Sequence, residues 1–453
     1  MPNYSMFGMK LAHYFPYYKR NLRLALPVVL SQVGQVSVQL IDVMMVGHVG
    51  TTELAASAFV NNIFMIGMNF GMGLTLGLTP LVGNAFGNNE KSEVTVWLKN
   101  GMFTHIVAAL VLTAIMSGVY FFLPLMGQPK DVLDLAKPYY LLLCASYLPF
   151  ILFFSFKQFF EGLGNTKMAM QITLMSNVVN ILLNYVLIFG KFGFPAMGLV
   201  GAGIGTLVSR LVMPCLFILF IWKRKQHRIH FRSARIHPLE LSRIKKILKI
   251  GIPIALQIIV EVTAFGIGAI MMGWLGEKPL AAHQVALGLA SFTYMISLGI
   301  SQANTIRISH QMGNNDLKAL KMAAFGSTHL VLAFMSFMAL VFVFGKNYLP
   351  YLFTTDSHVV IIAASLLVVA AVFQIFDGLQ VVMLSTLRGM ADVKVPMFIA
   401  FVAYLLIGIP TSYLLTFVAN IGPQGIWYGY LVGLGVAGLL FYFRFKHNIR
   451  KRV

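Results

Sequence analysis

Hydrophobic positions along this chain fall in long unbroken runs, and the polar positions collect in short clusters between them. The stretches from Leu199 to Trp222 and from Val359 to Leu387 are clear examples. Runs of about 17–25 mostly apolar residues cross a bilayer as helices. Twelve such spans are expected, at residues 24–46, 55–82, 100–124, 138–160, 168–189 and 199–222, then at 250–274, 280–306, 323–345, 359–387, 396–418 and 424–443. No alternating pattern of about ten residues recurs, which argues against a membrane β-barrel. The expected class is an all-α polytopic membrane protein.

The polar clusters repeat at a fixed distance. Pro27 in LALPVVL aligns with Pro253 in IGIPIAL, and MVGHVGTTELAA (45–56) with MMGWLGEKPLAA (271–282), both at an offset of 226. At the same offset Gly87-Asn88-Asn89-Glu90 meets Gly313-Asn314-Asn315-Asp316. EGLGNTK (161–167) then meets RGMADVK (388–394), and Gly198 meets Gly425, at 227. Matches in polar turns exclude a likeness of membrane composition alone. Six spans per half is an even number, so the halves run in the same direction, related by an axis along the membrane normal, with a substrate path in a central cleft between them. The expected organisation is an N-terminal six-helix lobe (1–222), a basic cytoplasmic connecting loop (223–249), a C-terminal six-helix lobe (250–443) and a basic cytoplasmic tail (444–453).

Composition sharpens the class. Of 453 residues, 58% are hydrophobic and 11% charged, against about 45–50% and about 25% in soluble domains. That is too few charges for a soluble shell. The net charge of +20 comes from 34 Lys and Arg against 14 Asp and Glu. With the N-terminus inside, only Lys130, Lys137, Lys191, Lys278 and Lys346 lie outside, and Arg210 falls within the sixth span. The others lie on the cytoplasmic side, as the positive-inside rule demands. Both termini are therefore expected in the cytoplasm. The basic stretch 223–249 is read as a lipid-anchored inside loop, and no nucleic-acid partner is expected. The first run follows Lys19, Arg20 and Arg23 without a small-residue cleavage site, and is read as a retained span. Cys144 and Cys215 lie inside apolar runs, with no metal spacing.

Three acidic residues, Asp42, Glu261 and Asp377, lie within apolar runs. A carboxylate at mid-membrane costs about 2.5–3.5 kcal/mol even on the lenient insertion scale, so such groups face a cavity, a partner or an ion. Glu261 is 12 residues beyond Lys249, about 18 Å along a helix. Asp377 is 11 residues before Arg388, about 16 Å. Two carboxylates on different helices thus share a depth. Bare, they repel, and a sodium ion or a shared proton resolves the conflict. Gln257, Gln374 and Gln380 are candidate further ligands. Asp42 lies 19 residues beyond Arg23, about 28 Å. Asn177, Asn180 and Asn184 share a face of the fifth span, with Asn180 and Asn184 approaching the level of Asp42. Pro27 lacks an amide donor and is a candidate bending point. His48, His283 and His310 are read as helix-end residues. No phosphate loop, nucleophile–base pair or metal spacing stands out, so neither an enzyme nor a fused ATPase is expected.

With these residues in view, the chain resembles the multidrug and toxic compound extrusion (MATE) family. The signs are two six-helix halves, Pro27 with Asp42 in the first span, the run IDVMMVGHVGTTELAA, the GNNE and GNND turns, and EGLGNTK. Carboxylates in spans seven and ten make it look most like the bacterial NorM-type branch. The resemblance implies export of cationic amphipathic compounds against a sodium or proton gradient, without a cofactor, in the bacterial inner membrane. It also implies a cluster of an aspartate and two asparagines, matched by Asp42, Asn180 and Asn184, and bending of the first span at Pro27. NorM-type members can carry a tyrosine one turn before the span-ten carboxylate, where Phe373 stands here. The resulting expectation is a monomeric cation-coupled antiporter. Its coupling residues are Glu261, Asp377, Asp42, Asn180 and Asn184, with the three carboxylates also facing the substrate and Glu261 and Asp377 facing Na+. The alternatives are a lipid-linked saccharide flippase of the same superfamily, and a passive channel or membrane sensor.

Overall fold

The computed structural model of the protein describes residues 11–224, 228, 231, 233, 234 and 237–452. Residues 225–227, 229, 230, 232, 235 and 236 of the basic connecting stretch and the last residue of the tail lie outside the described residues. Among those described, twelve helices are long and apolar enough to cross a membrane. They are α1 (Phe15–Gly47), α2 (Thr51–Gly87), α3 (Lys91–Met126), α4 (Lys130–Gly162), α5 (Thr166–Phe189), α6 (Gly198–Lys223), α7 (Leu241–Trp274), α8 (Glu277–Gly313), α9 (Leu317–Gly345), α10 (Ser357–Gly389), α11 (Lys394–Val418) and α12 (Pro423–Arg450). Large apolar side chains such as Leu110, Ile115, Phe121 and Phe344 are exposed on them, as lipid-facing surfaces require.

The helices outrun the apolar runs that predict them. A hydropathy limit stops at the first charge, yet α8 continues through Arg307 to Gly313. The Arg307 guanidinium is buried and satisfied: Nη1 donates to the Tyr17 carbonyl at 3.0 Å and to Asn21 Oδ1. Asn21 Nδ2 in turn donates to Ser327 Oγ at 2.5 Å. The same contacts hold the polar first turns of α1 in helical form, nine residues ahead of the expected start.

Prolines place the breaks. Pro80 and Pro149 each remove the amide that would serve the carbonyl four residues earlier. Accordingly α2 is interrupted at Leu76–Gly77 and α4 at Ser146. The repeat is visible in the turns. Asn89 and Asn315, at φ 58° and 53°, hold the same left-handed position in the GNNE and GNND turns. Gly164 and Ala391, at 79° and 58°, do so in EGLGNTK and RGMADVK.

The chain forms two compact units, Leu30–Ala255, and Met1–Val29 together with Leu256–Val453. The boundaries fall inside α1 and α7, two residues after Pro27 and two after Pro253, so they respect the repeat. They differ from a division at the connecting loop: the first turns of each half's leading helix are assigned to the other half's unit. In the first unit α5 packs along α6, and α4 contacts α2, α3 and α6. The first turn of α7 is fastened there. Arg243 pairs with Glu93 at 2.8 Å and with Glu240 at 3.2 Å, and its guanidinium lies 4.6 Å from the Trp97 ring centre. In the second unit α10 is central, packed by α8, α9 and α12.

One backbone approach in the first unit admits only glycine. A Cβ on Gly77, at the α2 break, would lie 2.8 Å from the Gly251 amide nitrogen, and one on Gly251 would run into the Leu74 carbonyl oxygen. Small residues allow such contacts between membrane helices. Gly251→Ala must push the two backbones apart, at a cost of about 1–3 kcal/mol. The thermal unfolding midpoint of the purified protein should fall by several degrees. An unchanged midpoint would show that this contact is not tight in the native protein.

Candidate functional site

Among the described residues no cluster of three or more His, Cys, Asp or Glu is placed to hold a metal. Asp42, Glu261 and Asp377 instead sit in two separate polar clusters, one in each unit.

In the second unit, Glu261 on α7 is half-buried and lines a small cavity, with Ala264, Phe265, Tyr404, Tyr430 and Leu434 around it. Gln257, one turn earlier, donates its amide to Glu261 Oε2 at 3.0 Å. Asp377 on α10 is buried and within electrostatic reach of Glu261. Tyr294 and Tyr404 feel both carboxylates. Tyr404 reaches this place because α11 widens into π-helical turns over Val402–Gly408, a departure that often accompanies functional sites. Its hydroxyl accepts from Gln380 Nε2 at 2.6 Å. Gln374 Oε1 accepts from Thr293 at 3.0 Å. Gln257 therefore serves Glu261 and the Gln374 oxygen is taken by Thr293, whereas Gln380 Oε1 is buried without a partner among the described residues.

Phe373, one turn before Asp377, presents no oxygen. Its ring meets Trp427 edge-on at 5.2 Å, and the Trp427 indole donates to His283 Nδ1 at 3.1 Å. His283 is thus a core residue and not a helix-end one, whereas His48 does bond back along its own helix, to the Met44 carbonyl at 2.7 Å. The repeat aligns Asp42 with Gly268, and here the Tyr430 hydroxyl lies where a Gly268 side chain would project. That hydroxyl donates to the Phe265 carbonyl at 3.2 Å.

In the first unit, the structure brings Asp42, Asn180 and Asn184 together. Asn184 Nδ2 donates to Asp42 Oδ1 at 2.7 Å and to Asn180 Oδ1 at 3.3 Å. Asn180 Nδ2 donates to Ser209 Oγ at 3.3 Å. The spacing of four between the asparagines puts both amides on one face of α5. Gly205 on α6 makes room for them, because a Cβ there would collide with Asn184 Oδ1. That oxygen is buried without a partner among the described residues. Pro27 precedes Asp42 on α1 and belongs to the other unit.

Basic groups were the signal the sequence obscured. Arg210 lies within electrostatic reach of Asp42. It donates from Nη1 to Ser146 Oγ at 2.7 Å, at the α4 break, and its guanidinium sits 4.9 Å from the Phe150 ring centre and 5.6 Å from that of Phe64. Lys157 is buried in α4 and faces Glu161 at 3.9 Å. Arg388, expected at the cytoplasmic end of its span, folds inward and donates from Nη2 to Gln257 Oε1.

The MatE family model matches residues 27–186 and 253–414, two segments beginning at the two repeat-related prolines. The chain is 30% identical over 445 residues to a probable multidrug resistance protein NorM of Agrobacterium fabrum, covering 97% of this chain and 96% of the relative. It is 32% identical over 434 residues to the multidrug resistance protein MdtK of Yersinia pseudotuberculosis, covering 94% of each. Its fold is similar to that of the Vibrio cholerae MATE transporter VcmN, with a TM-score of 0.88 at 19% identity over 97% of this chain and 98% of that one.

Proposed function

The chain belongs to the multidrug and toxic compound extrusion (MATE) family, and from that premise we propose that it is a multidrug efflux transporter, not an enzyme, which exports cationic amphipathic compounds in exchange for sodium ions or protons. The observation that carries this reading is the pairing of Glu261 and Asp377. Two acidic side chains within electrostatic reach of each other, away from bulk water, need a positive charge beside them. Carboxylate oxygens suit a hard monovalent cation, and either carboxylate can take a proton instead. The aromatic lining of the adjoining cavity, Phe265, Tyr404 and Tyr430, offers faces attractive to an organic cation.

Competition for one negative site is then a sufficient coupling mechanism. The cation and the organic substrate each neutralise the same carboxylates and stabilise different conformations. Asp42 with Asn180 and Asn184 is a second site of the same kind in the other lobe. Pro27, beside the unit boundary in α1, is placed to let that helix bend as the lobes move. The protein works as a monomer in the bacterial inner membrane, with both termini in the cytoplasm and no cofactor beyond the coupling ion. The acidic lining of the cavity does not favour a flippase for pyrophosphate-linked saccharides, which needs basic groups there.

The test is dye efflux from proteoliposomes with the sodium and proton gradients imposed and collapsed separately. Uphill efflux should stop when the coupling gradient is removed. Dye flux that never exceeds its own gradient, whichever ion gradient is imposed, would identify a channel and overturn the proposal.

A further inference from the structure

We propose that Arg388 is a tethered counter-cation, which competes with the transported cation for Glu261 and so sets how tightly the coupling ion is held. This inference rests on the reading of Glu261 and Asp377 as the coupling site. The geometry behind it is a relay through one amide. Arg388 Nη2 on α10 donates to Gln257 Oε1 on α7, and Gln257 Nε2 donates to Glu261 Oε2 at 3.0 Å. A fixed positive charge therefore stands one buried side chain away from the carboxylate, and the two are within electrostatic reach of each other.

The arrangement is visibly incomplete. Four ion pairs are closed among the described residues, and none includes Arg388, Glu261 or Asp377. Arg444 and Asp392, four residues further along the same turn, do close theirs at 2.7 Å. Guanidinium presents five donors in a fork matched to a carboxylate. Here it touches an amide oxygen, and among the described residues its Nε is buried without an acceptor. An unmet buried donor is costly, and a second placement, with the fork on Glu261 itself, would satisfy it.

The repeat sharpens the point. The residue aligned with Arg388 is Glu161, whose charge is answered within its own helix by Lys157. Only the unit that carries the cavity leaves the equivalent charge facing a neighbouring helix. Arg388 held off by Gln257 leaves Glu261 free to receive a cation; Arg388 on Glu261 fills the site after the cation leaves. The empty transporter then returns without a bare pair of carboxylates.

Substitutions on the two sides of the relay should act in opposite directions. Removing a unit charge a few ångströms from a binding site, at an effective dielectric of about 20, shifts the equilibrium by about tenfold or more. The experiment is ethidium efflux from proteoliposomes of the full-length protein, with Na+ titrated at fixed pH and, in a parallel arm, the imposed pH gradient varied. In Arg388→Gln the half-saturating cation concentration should fall about tenfold, and the maximal rate should fall with it because release is slowed. Gln257→Ala frees Arg388 to settle on Glu261, so half-saturation should rise. Arg388→Lys keeps the charge but not the fork, so its half-saturation should lie between those of wild type and Arg388→Gln.

Folding is checked by monodispersity in detergent; if Arg388→Gln does not fold, Gln257→Ala against Arg388→Lys still decides the sign. Half-saturation that moves the same way in Arg388→Gln and Gln257→Ala, or moves in neither, overturns the proposal. Equal defects in Arg388→Lys and Arg388→Gln do so as well, since they indicate packing and not charge. Glu261→Gln separates the two levels of argument. If it leaves the cation dependence untouched, the coupling-site reading itself fails. If it removes that dependence while the relay variants behave as wild type, only the role of Arg388 fails.

Discussion

Glu261→Gln should lower gradient-driven dye efflux at least about 100-fold, equivalent to about 2.7 kcal/mol, while the protein still inserts and folds. Glutamine keeps the shape, and its carbonyl oxygen can still accept the Gln257 amide that now meets Glu261 Oε2 at 3.0 Å. What is lost is the negative charge and the ability to exchange one cation for another. Asp377→Asn should have an effect of the same order, because Asp377 lies within electrostatic reach of Glu261 and is proposed to share its cation. The double variant should be little worse than either single one, since residues that work as a unit are not additive. Efflux is followed by dye fluorescence in energised cells, normalised to the amount of protein in the membrane. Driven efflux within a few-fold of wild type in both single variants would remove the proposed coupling site.

The parts of this architecture that the bilayer dictates were legible in the amino-acid pattern, and those set by side-chain reach were not. Twelve helices follow from apolar runs because lipid offers the backbone no other partner. The turns at Asn89 and Asn315 follow from polar residues that recur where the chain must adopt a left-handed conformation. Asn180 and Asn184 could be placed on one face because helical period is regular. The same regularity hides Tyr404, whose direction depends on the π-helical turns at Val402–Gly408. Helices run past the apolar runs where a charge is satisfied internally, as Arg307 is by Asn21 and the Tyr17 carbonyl. Arg388 was hidden for a related reason. Hydropathy reads a terminal arginine as pointing to water, but a side chain that long can equally turn back along its helix. Phe373 stands where the family can carry a tyrosine; its edge-on contact with Trp427 gives the position a packing role.

Asp42→Asn should both abolish the contribution of the first unit to transport and destabilise the protein, and Arg210 is the reason the two effects can be separated. Asparagine can keep the 2.7 Å hydrogen bond from Asn184 by presenting its carbonyl oxygen, so the geometry of the cluster survives. The charge does not. Arg210, within electrostatic reach of Asp42 and packed between the Phe64 and Phe150 rings, then loses its negative neighbour. At an effective dielectric of about 20, that loss is worth about 1–3 kcal/mol for charges several ångströms apart. Removing the orphaned charge as well should recover stability, because a buried pair replaced by uncharged side chains of similar volume is often no less stable. Asp42→Asn/Arg210→Met should therefore unfold at a temperature close to wild type, while efflux remains as low as in Asp42→Asn alone. Scanning fluorimetry and dye efflux on the same preparations measure the two quantities. If Arg210→Met instead lowers the midpoint by the same amount in the wild-type and Asp42→Asn backgrounds, the two charges are not coupled. Efflux restored together with stability would make Asp42 a structural residue and leave Glu261 and Asp377 as the only acidic coupling groups.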